Sequence, residues 1–540
     1  MSVGAADGVA DYVIVGAGTA GCVLANRLTA DPACQVIVLE AGPEARSPWI
    51  RMPAGVSRLF THPRLVWRYE TEPEPQLGNR RLYWPRGRVV GGTSSINGMT
   101  YVRGHPADYE RWASVAGDGW SFDALLPYFR RLEAHPLGPS HWHGADGPVR
   151  IGGVAQPHPL STAFRTAMIN AGVPDNPDYN GATQEGVAFN QLMMVDGRRV
   201  SAATAYLEPV RGRANLRVLT DAVAHRIVVA GGRAAGVEIV RNGARRVVRA
   251  RREVLLCAGT VASPQLLQLS GIGSADALRA LGIAVVADRA EVGRNLQEHV
   301  RTQVVLRTRV SSFNQDSRGL ALMRHVATYA LRRRGLLTAT ASQVNAFVRS
   351  APDAPRPDLQ IVFRPMSGDY VGRRFASHRF PGVMAMVGLS RPESRGSIAL
   401  RSADPAIAPA IVTGHLTQPR DAQLLLRGLR FVRRVCATAP FSALVDTEMQ
   451  PGTGVDDDDG LLAYIHANAS SLFHAVGTCA MGRDEHAVVD EALAVRGVAG
   501  LRVVDASVMP FVPTGNTCAP VMMVAEKAAD VVIDSARRHA

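Results

Sequence analysis

Tyr12-Val13-Ile14-Val15-Gly16-Ala17-Gly18-Thr19-Ala20-Gly21-Cys22-Val23-Leu24-Ala25-Asn26-Arg27-Leu28, continued by Val36-Ile37-Val38-Leu39-Glu40, decides the fold. The run from Tyr12 to Val15 is short, apolar and rich in β-branched residues, which predicts a buried parallel strand. Cys22 to Leu28 reads as a helix, and Val36 to Leu39 as a second strand. Gly16 permits the tight turn out of the strand. Gly18 lets backbone approach a pyrophosphate, and Gly21 lets the helix pack against the strand. Thr19 and Ala20 then stand at the helix N-terminus, where unpaired N–H groups and the dipole attract phosphate. Glu40, 24 positions after Gly16, is placed to accept hydrogen bonds from ribose hydroxyls. The unit says dinucleotide, and NAD and FAD both use it.

The rest of the chain narrows the choice. Its 540 residues suffice for more than one domain, and its hydrophobic and charged fractions are those of a globular protein. The net charge of +13 invites a nucleic-acid reading, but arginine supplies nearly all of it and Lys527 is the only lysine. The basic runs are short and carry no interleaved aromatics, so a solvated basic surface is the plainer account. Loose adhesion to an anionic membrane stays open. Met1 to Asp11 lacks the basic start and apolar stretch of a secretory leader, which gives the expectation of a cytoplasmic protein. Six cysteines without a C-x-x-C pair are expected to be reduced. A P-loop, a zinc cluster and a G-x-S-x-G elbow are absent. His141-Trp142-His143 has no third ligand nearby in sequence and reads as a loop, so no metal is expected.

Three further segments follow in order: Pro85-Arg86-Gly87-Arg88-Val89-Val90-Gly91-Gly92-Thr93-Ser94-Ser95-Ile96-Asn97-Gly98-Met99, Gly259 to Gly273, and Phe473-His474-Ala475-Val476-Gly477-Thr478-Cys479 with Pro513-Thr514-Gly515-Asn516-Thr517. With the glycine site they resemble the glucose–methanol–choline (GMC) oxidoreductases over about residues 10 to 535, closest to the choline-dehydrogenase-like and alcohol dehydrogenase branch. The resemblance implies FAD, an α/β (α+β overall) architecture and oxidation of a primary alcohol. It expects a Rossmann-like FAD-binding domain from 8–157, 200–310 and 465–540. A substrate domain, 158–199 and 311–464, should carry an antiparallel sheet backed by helices. Gly382 to Val387 and Gly396 to Leu400 are expected strands of that sheet.

By the same likeness Gly91, Gly92, Ser95 and Asn97 run beside the flavin, and Asp505 contacts FAD. Ser263-Pro264 reads as a helix N-cap followed by a first-turn proline. Some relatives attach FAD through a histidine where this chain has Ile96, so dissociable FAD is expected. His474 matches the catalytic histidine, and a neutral imidazole suits proton removal near neutral pH. Asn516 matches its partner, a donor for the developing alkoxide. Phe473, Arg301 and Val362 are the expected substrate-side residues. Choline-handling relatives have a carboxylate where Arg301 stands, so choline is expected to be a poor substrate. The Asn295-Leu296-Gln297-Glu298-His299 element reads as structural. The electron acceptor that the resemblance implies is a quinone, another carrier or oxygen, and the sequence carries no signal for an oligomer. Photodecarboxylases, with cysteine at the position of Ser342, hydroxynitrile lyases, and a basic nucleic-acid-binding protein are the alternatives.

Overall fold

The computed structural model describes residues 6–340, 342–371 and 373–538. Of the Met1–Asp11 stretch read for a leader, residues 1–5 lie outside the described residues.

Strand Ala6–Val15 runs into helix Thr19–Leu28 and back through strand Val36–Leu39, as the glycine pattern predicts. Five strands lie parallel, in the order Leu216–Leu219, Val36–Leu39, Ala6–Val15, Ala244–Leu256 and Leu501–Val503. Numbered along the chain, that order is 3-2-1-4-5, the doubly wound arrangement. Both faces are covered, so Val13, Ile14, Leu255 and Leu256 are fully buried and the strands need no alternation. An antiparallel ribbon, Ala222–Ala230 with Arg233–Arg241, extends the sheet along the first half of Ala244–Leu256. Strand order reverses between Ala6–Val15 and Ala244–Leu256. A crevice opens there, at the strands' carboxyl ends.

The glycines are required by space. Gly16 has φ +102°, and a Cβ on it would lie 2.6 Å from the Cys257 carbonyl oxygen. A Cβ on Gly21 would lie 1.9 Å from the Gly16 carbonyl oxygen.

The second sheet also has seven strands. Its order is Val445–Gln450, Val300–Thr308, Gly382–Leu389, Leu359–Arg364, Val344–Val348 and Gly186–Phe189, with Ser470–Ser471 beside Val300. All its pairings are antiparallel. Here alternation decides the faces. Val304, Leu306, Ala385, Val387, Ile361 and Phe363 point into a core shared with helices Pro159–Asn170, Pro419–Cys436 and Asp458–Asn468. The other face carries Arg301, Met386, Gln360, Val362, Arg364 and Asn345 toward the crevice. A one-residue slip would bury the arginines and amides in the apolar core.

Three expectations differ from this architecture. Val300–Thr308, placed by sequence within the 200–310 nucleotide block, is an interior strand of the second sheet. Among the described residues Ser397–Ala399 pairs only with Ala410–Val412, and Gly396 forms an isolated bridge to Leu296. Helix Gly259–Leu269 starts ahead of Ser263-Pro264, with Ala258 as its N-cap. The Asp505 carboxylate accepts the Gly259 N–H at 2.8 Å and the Ser263 hydroxyl at 2.6 Å, which fixes the earlier start. Among the described residues no helix is long and apolar enough to cross a membrane.

Candidate active site

Between the two sheets lies a cavity of about 470 Å³. Its nucleotide end is walled by Gly16, Gly18, Thr19, Ala20, Glu40, Gly92, Asn97 and Asp505. Helix Thr19–Leu28 has Gly18 as N-cap and no side-chain cap, so its first-turn donors are left for a ligand. Gly92 faces Gly18 so closely that a Cβ on it would sit 2.7 Å from the Gly18 Cα. Two bare backbones therefore meet over an uncapped helix end, a cradle suited to pyrophosphate. Glu40 accepts N–H groups of Ala17 (3.0 Å) and Gly42 (2.8 Å). Burial still pushes its carboxyl up to about 7, against those two hydrogen bonds. Hydroxyl donors from a ribose would relieve that desolvation.

Some expected cofactor residues stand behind the wall. Gly21 packs helix to strand. The Gly91 N–H donates to Ala17 at 2.7 Å, and the Ser95 hydroxyl is spent on the Val90 carbonyl at 2.8 Å. None of the three lines the cavity. Asp505 reaches the cavity, but both its oxygens are occupied: Ser507 donates its N–H (2.8 Å) and its hydroxyl (2.6 Å) to the second one. Asn97 lines the cavity while its amide oxygen accepts from Arg199 at 2.8 Å.

At the other end, His474 and Asn516 meet. Asn516 Nδ2 lies 2.8 Å from His474 Nε2, although 42 positions separate them. Asn516 stands just before helix Cys518–Arg538. Its amide oxygen accepts from Gln360 at 3.4 Å, which turns the amide nitrogen toward the histidine. His474 follows Phe473, whose φ of +67° is a left-handed conformation costly for an aromatic residue. Ser471 holds that turn by accepting the Phe473 N–H at 2.7 Å and the Trp84 indole N–H at 3.0 Å. Glu298 accepts the His474 N–H at 2.5 Å.

The hydrogen bonds also fix the tautomer. His299 Nε2 lies 3.0 Å from the Ser390 carbonyl, which can only accept, so that nitrogen carries the proton. In the neutral ring His299 Nδ1 is then an acceptor, 2.9 Å from His474 Nδ1. His474 must donate from Nδ1, which leaves the Nε2 lone pair toward Asn516 and the cavity. Burial pushes His474 well below its ordinary value, and the neighbouring His299 and Arg86 act in the same direction. Burial also holds His299 down at about 4. The chain from Ser390 through His299 to His474 is thus neutral and directional.

Sequence reasoning read Glu298 and His299 as structural, and here it missed two contacts to His474. The signal was the N-L-x-E-H element itself, but nothing local ties it to a residue 175 positions away. Arg86, in the Pro85–Met99 segment, belongs to the same support. Its guanidinium lies 4.0 Å over the Trp84 ring and 3.6 Å from Glu298. Arg301, Val362 and Phe473 line the substrate end, with Arg364, Met386 and Phe60 beside them.

His143, read from sequence as part of a loop, lies with His135 and Asp178, a grouping with metal-ligand spacing. Both its ring nitrogens are engaged by carboxylates, Glu133 at 2.8 Å and Asp178 at 2.9 Å. Against the burial that disfavours a charged ring, these carboxylates raise its pKa.

Profiles described as GMC oxidoreductase match residues 10–301 and 392–525. The chain belongs to the GMC oxidoreductase family. This GMC oxidoreductase is 40% identical over 531 residues to the alcohol dehydrogenase [acceptor] of Pseudomonas putida, covering 97% of this chain and 95% of that one. It is 41% identical over 534 residues to an oxygen-dependent choline dehydrogenase of Rhizobium etli, with 97% and 95% covered. A solved formate oxidase of Aspergillus oryzae, described in a study of FAD modification, superposes with a TM-score of 0.92. That pair is 27% identical and covers 99% of this chain and 100% of the oxidase.

Proposed function

We propose that this GMC oxidoreductase oxidises a primary alcohol to an aldehyde using dissociable FAD, with His474 as base and Asn516 as the donor that holds the alcohol oxygen. The observation that carries the reading is the 2.8 Å contact of these two side chains in a cavity whose far end is the glycine cradle. Gly16, Gly18, Thr19, Ala20, Gly92 and Asn97 would hold FAD, which when bound accepts a hydride at N5.

The residues' work is specific. Asn516 has a second N–H for the substrate hydroxyl, and a donor fixed before reaction stabilises the oxygen as it becomes anionic. The hydroxyl proton goes to His474 Nε2, the ring nitrogen that carries no proton, where the substrate hydroxyl takes the place of the Asn516 N–H. Glu298 and the constrained turn at Phe473 hold the backbone that carries His474, and the His299 Nδ1 contact at 2.9 Å orients its ring. Holding oxygen and base together aligns the C–H bond for transfer and lowers the barrier by several kcal/mol, on the order of 7 or more in well-oriented cases.

The base must be neutral to act, and its pKa is depressed. The acid limb of log kcat/KM should therefore fall below pH 6.5, with a flat profile from there to neutrality. A midpoint at or above pH 6.5 in steady-state assays would refute the assignment of that limb to His474.

Ile96 lines the cavity and has no nucleophilic atom, which supports a dissociable cofactor. Acid precipitation should release the yellow colour to the supernatant. Colour retained wholly in the pellet would contradict this.

The substrate is read as a neutral aliphatic or aromatic primary alcohol. Arg301 and Arg364 line its end of the cavity, and Arg301 donates to Gln303 at 2.6 Å. Among the described lining residues the only carboxylates are Glu40 and Asp505, both at the nucleotide end. A quaternary ammonium about 5 Å from one guanidinium would feel roughly 3 kcal/mol of repulsion at an effective dielectric of about 20. Arg301→Glu should raise kcat/KM for choline by about 100-fold or more, since it exchanges repulsion for attraction. An efficient choline reaction in the unsubstituted protein would defeat this reading. Reoxidation of the alcohol-reduced enzyme by oxygen or by a quinone analogue identifies the acceptor class.

A further inference from the structure

Helix Gly319–Arg332 lies between the Val300–Thr308 and Val344–Val348 strands, and it is barely packed. Tyr329 is its only buried residue. The Tyr329 hydroxyl donates to the Gly197 carbonyl at 3.1 Å, and this side faces the protein. The opposite side is apolar and open to solvent. Leu320 is 82% exposed, Met323 67%, Val326 49% and Leu331 83%. At 100° per residue these four fall within one stripe, with Ala327 and Ala330 between them. A soluble helix normally turns such a stripe inward.

Charge frames the stripe. Arg324 lies along its edge, and Arg332, Arg333 and Arg334 follow at the helix end. Among the described residues Arg324, Arg332 and Arg334 have no carboxylate partner within ion-pair distance. An exposed apolar stripe bordered by unneutralised arginines is complementary to an anionic lipid surface, whose acyl boundary takes the stripe and whose headgroups take the charges. The site of docking matters for access. The turn after this helix, Leu336–Thr338, packs on Pro53–Gly55, the turn that leads directly into Val56. Val56 and Phe60 are part of the cavity wall.

We propose that helix Gly319–Arg332 docks this protein on anionic lipid bilayers, lying in the plane of the surface and holding the Val56–Phe60 side of the cavity against it. Docking needs no spanning helix, and it is independent of which alcohol is oxidised.

Flotation of the holoenzyme with vesicles tests this. The protein should float with vesicles of phosphatidylcholine plus phosphatidylserine, and far less with phosphatidylcholine alone. Leu320→Ser, Met323→Ser and Leu331→Ser combined should reduce the bound fraction by roughly tenfold or more. Arg324→Gln, Arg332→Gln and Arg334→Gln combined should abolish the preference for phosphatidylserine. Leu137→Ser, at another exposed leucine, should change nothing. All replaced side chains are on the surface, so FAD content and turnover with a water-soluble dye acceptor should stay unchanged and report intact folding. The proposal is overturned if the protein fails to float with phosphatidylserine vesicles, or if the serine variant floats as well as the parent. It is equally overturned, in favour of a second copy of the chain, if the parent forms a dimer that the serine substitutions dissolve and lipid binding is absent.

Discussion

His474→Ala should lower kcat for alcohol oxidation by about 10²- to 10⁴-fold while FAD stays bound. The expectation follows from the hydrogen-bond chain. The Ser390 carbonyl fixes the His299 tautomer, His299 fixes that of His474, and the only lone pair left on the histidine faces Asn516. An alanine removes the proton acceptor and leaves the Glu298 contact, which is to backbone, in place. None of the cradle contacts passes through the His474 side chain, so flavin content after desalting should match the parent. Stopped-flow and steady-state assays together distinguish loss of chemistry from loss of cofactor. Near-parental turnover in a variant that retains FAD would remove His474 from the mechanism.

Gly21→Ala should strip the protein of FAD and lower its melting temperature. The added Cβ would stand 1.9 Å from the Gly16 carbonyl oxygen and 3.2 Å from Ile14 Cγ2. Neither neighbour is a flexible side-chain tip: one is backbone in the turn, the other is in a fully buried strand. Overpacking of this kind costs about 1–3 kcal/mol, occasionally more. The helix Thr19–Leu28 must move away from its strand to relieve it, and its uncapped N-terminus moves too. The ratio of flavin to protein, read beside a thermal unfolding curve, measures both consequences. Gly153→Ala, where a Cβ would meet nothing within 4 Å, is the control and should keep both. Full flavin occupancy in Gly21→Ala would show that the cradle tolerates a shifted helix.

The contrast between Gly21 and His299 explains how much of the molecule could be read from sequence. The glycine site is contiguous, so its strand, turn, helix and second strand are each dictated by nearby residues. The motif frames around His474 and Asn516 were equally local, and the contact between them was expected only through resemblance. The support behind them was not legible. Glu298 and His299 reach His474 across 176 and 175 positions, and no local pattern encodes such a distance. The start of helix Gly259–Leu269 failed for the same reason. Ser263-Pro264 is a good local cap, but Asp505 stabilises Gly259 from 246 positions away. Sheet membership of Val300–Thr308 depends on partners at Gly382–Leu389 and Val445–Gln450, which periodicity alone does not name.

Glu298 also bears on how the active site tolerates charge. Burial pushes its carboxyl up to about 7, against the pull of Arg86. A carboxyl poised there can hold the His474 backbone in either protonation state, since the oxygen that accepts that N–H does so with or without a proton on its neighbour. The backbone anchor of His474 is thereby insulated from pH over the range in which the base works.

Anaerobic mixing of the FAD-loaded enzyme with a primary alcohol, followed through the flavin's visible absorbance, tests whether His474 and Asn516 deliver a hydride from the alcohol to the flavin. Rapid bleaching is expected, with one aldehyde per flavin and slower bleaching when the carbinol carbon carries deuterium. An enzyme that holds FAD yet keeps its full visible absorbance with every alcohol of an aliphatic and aromatic panel would contradict it.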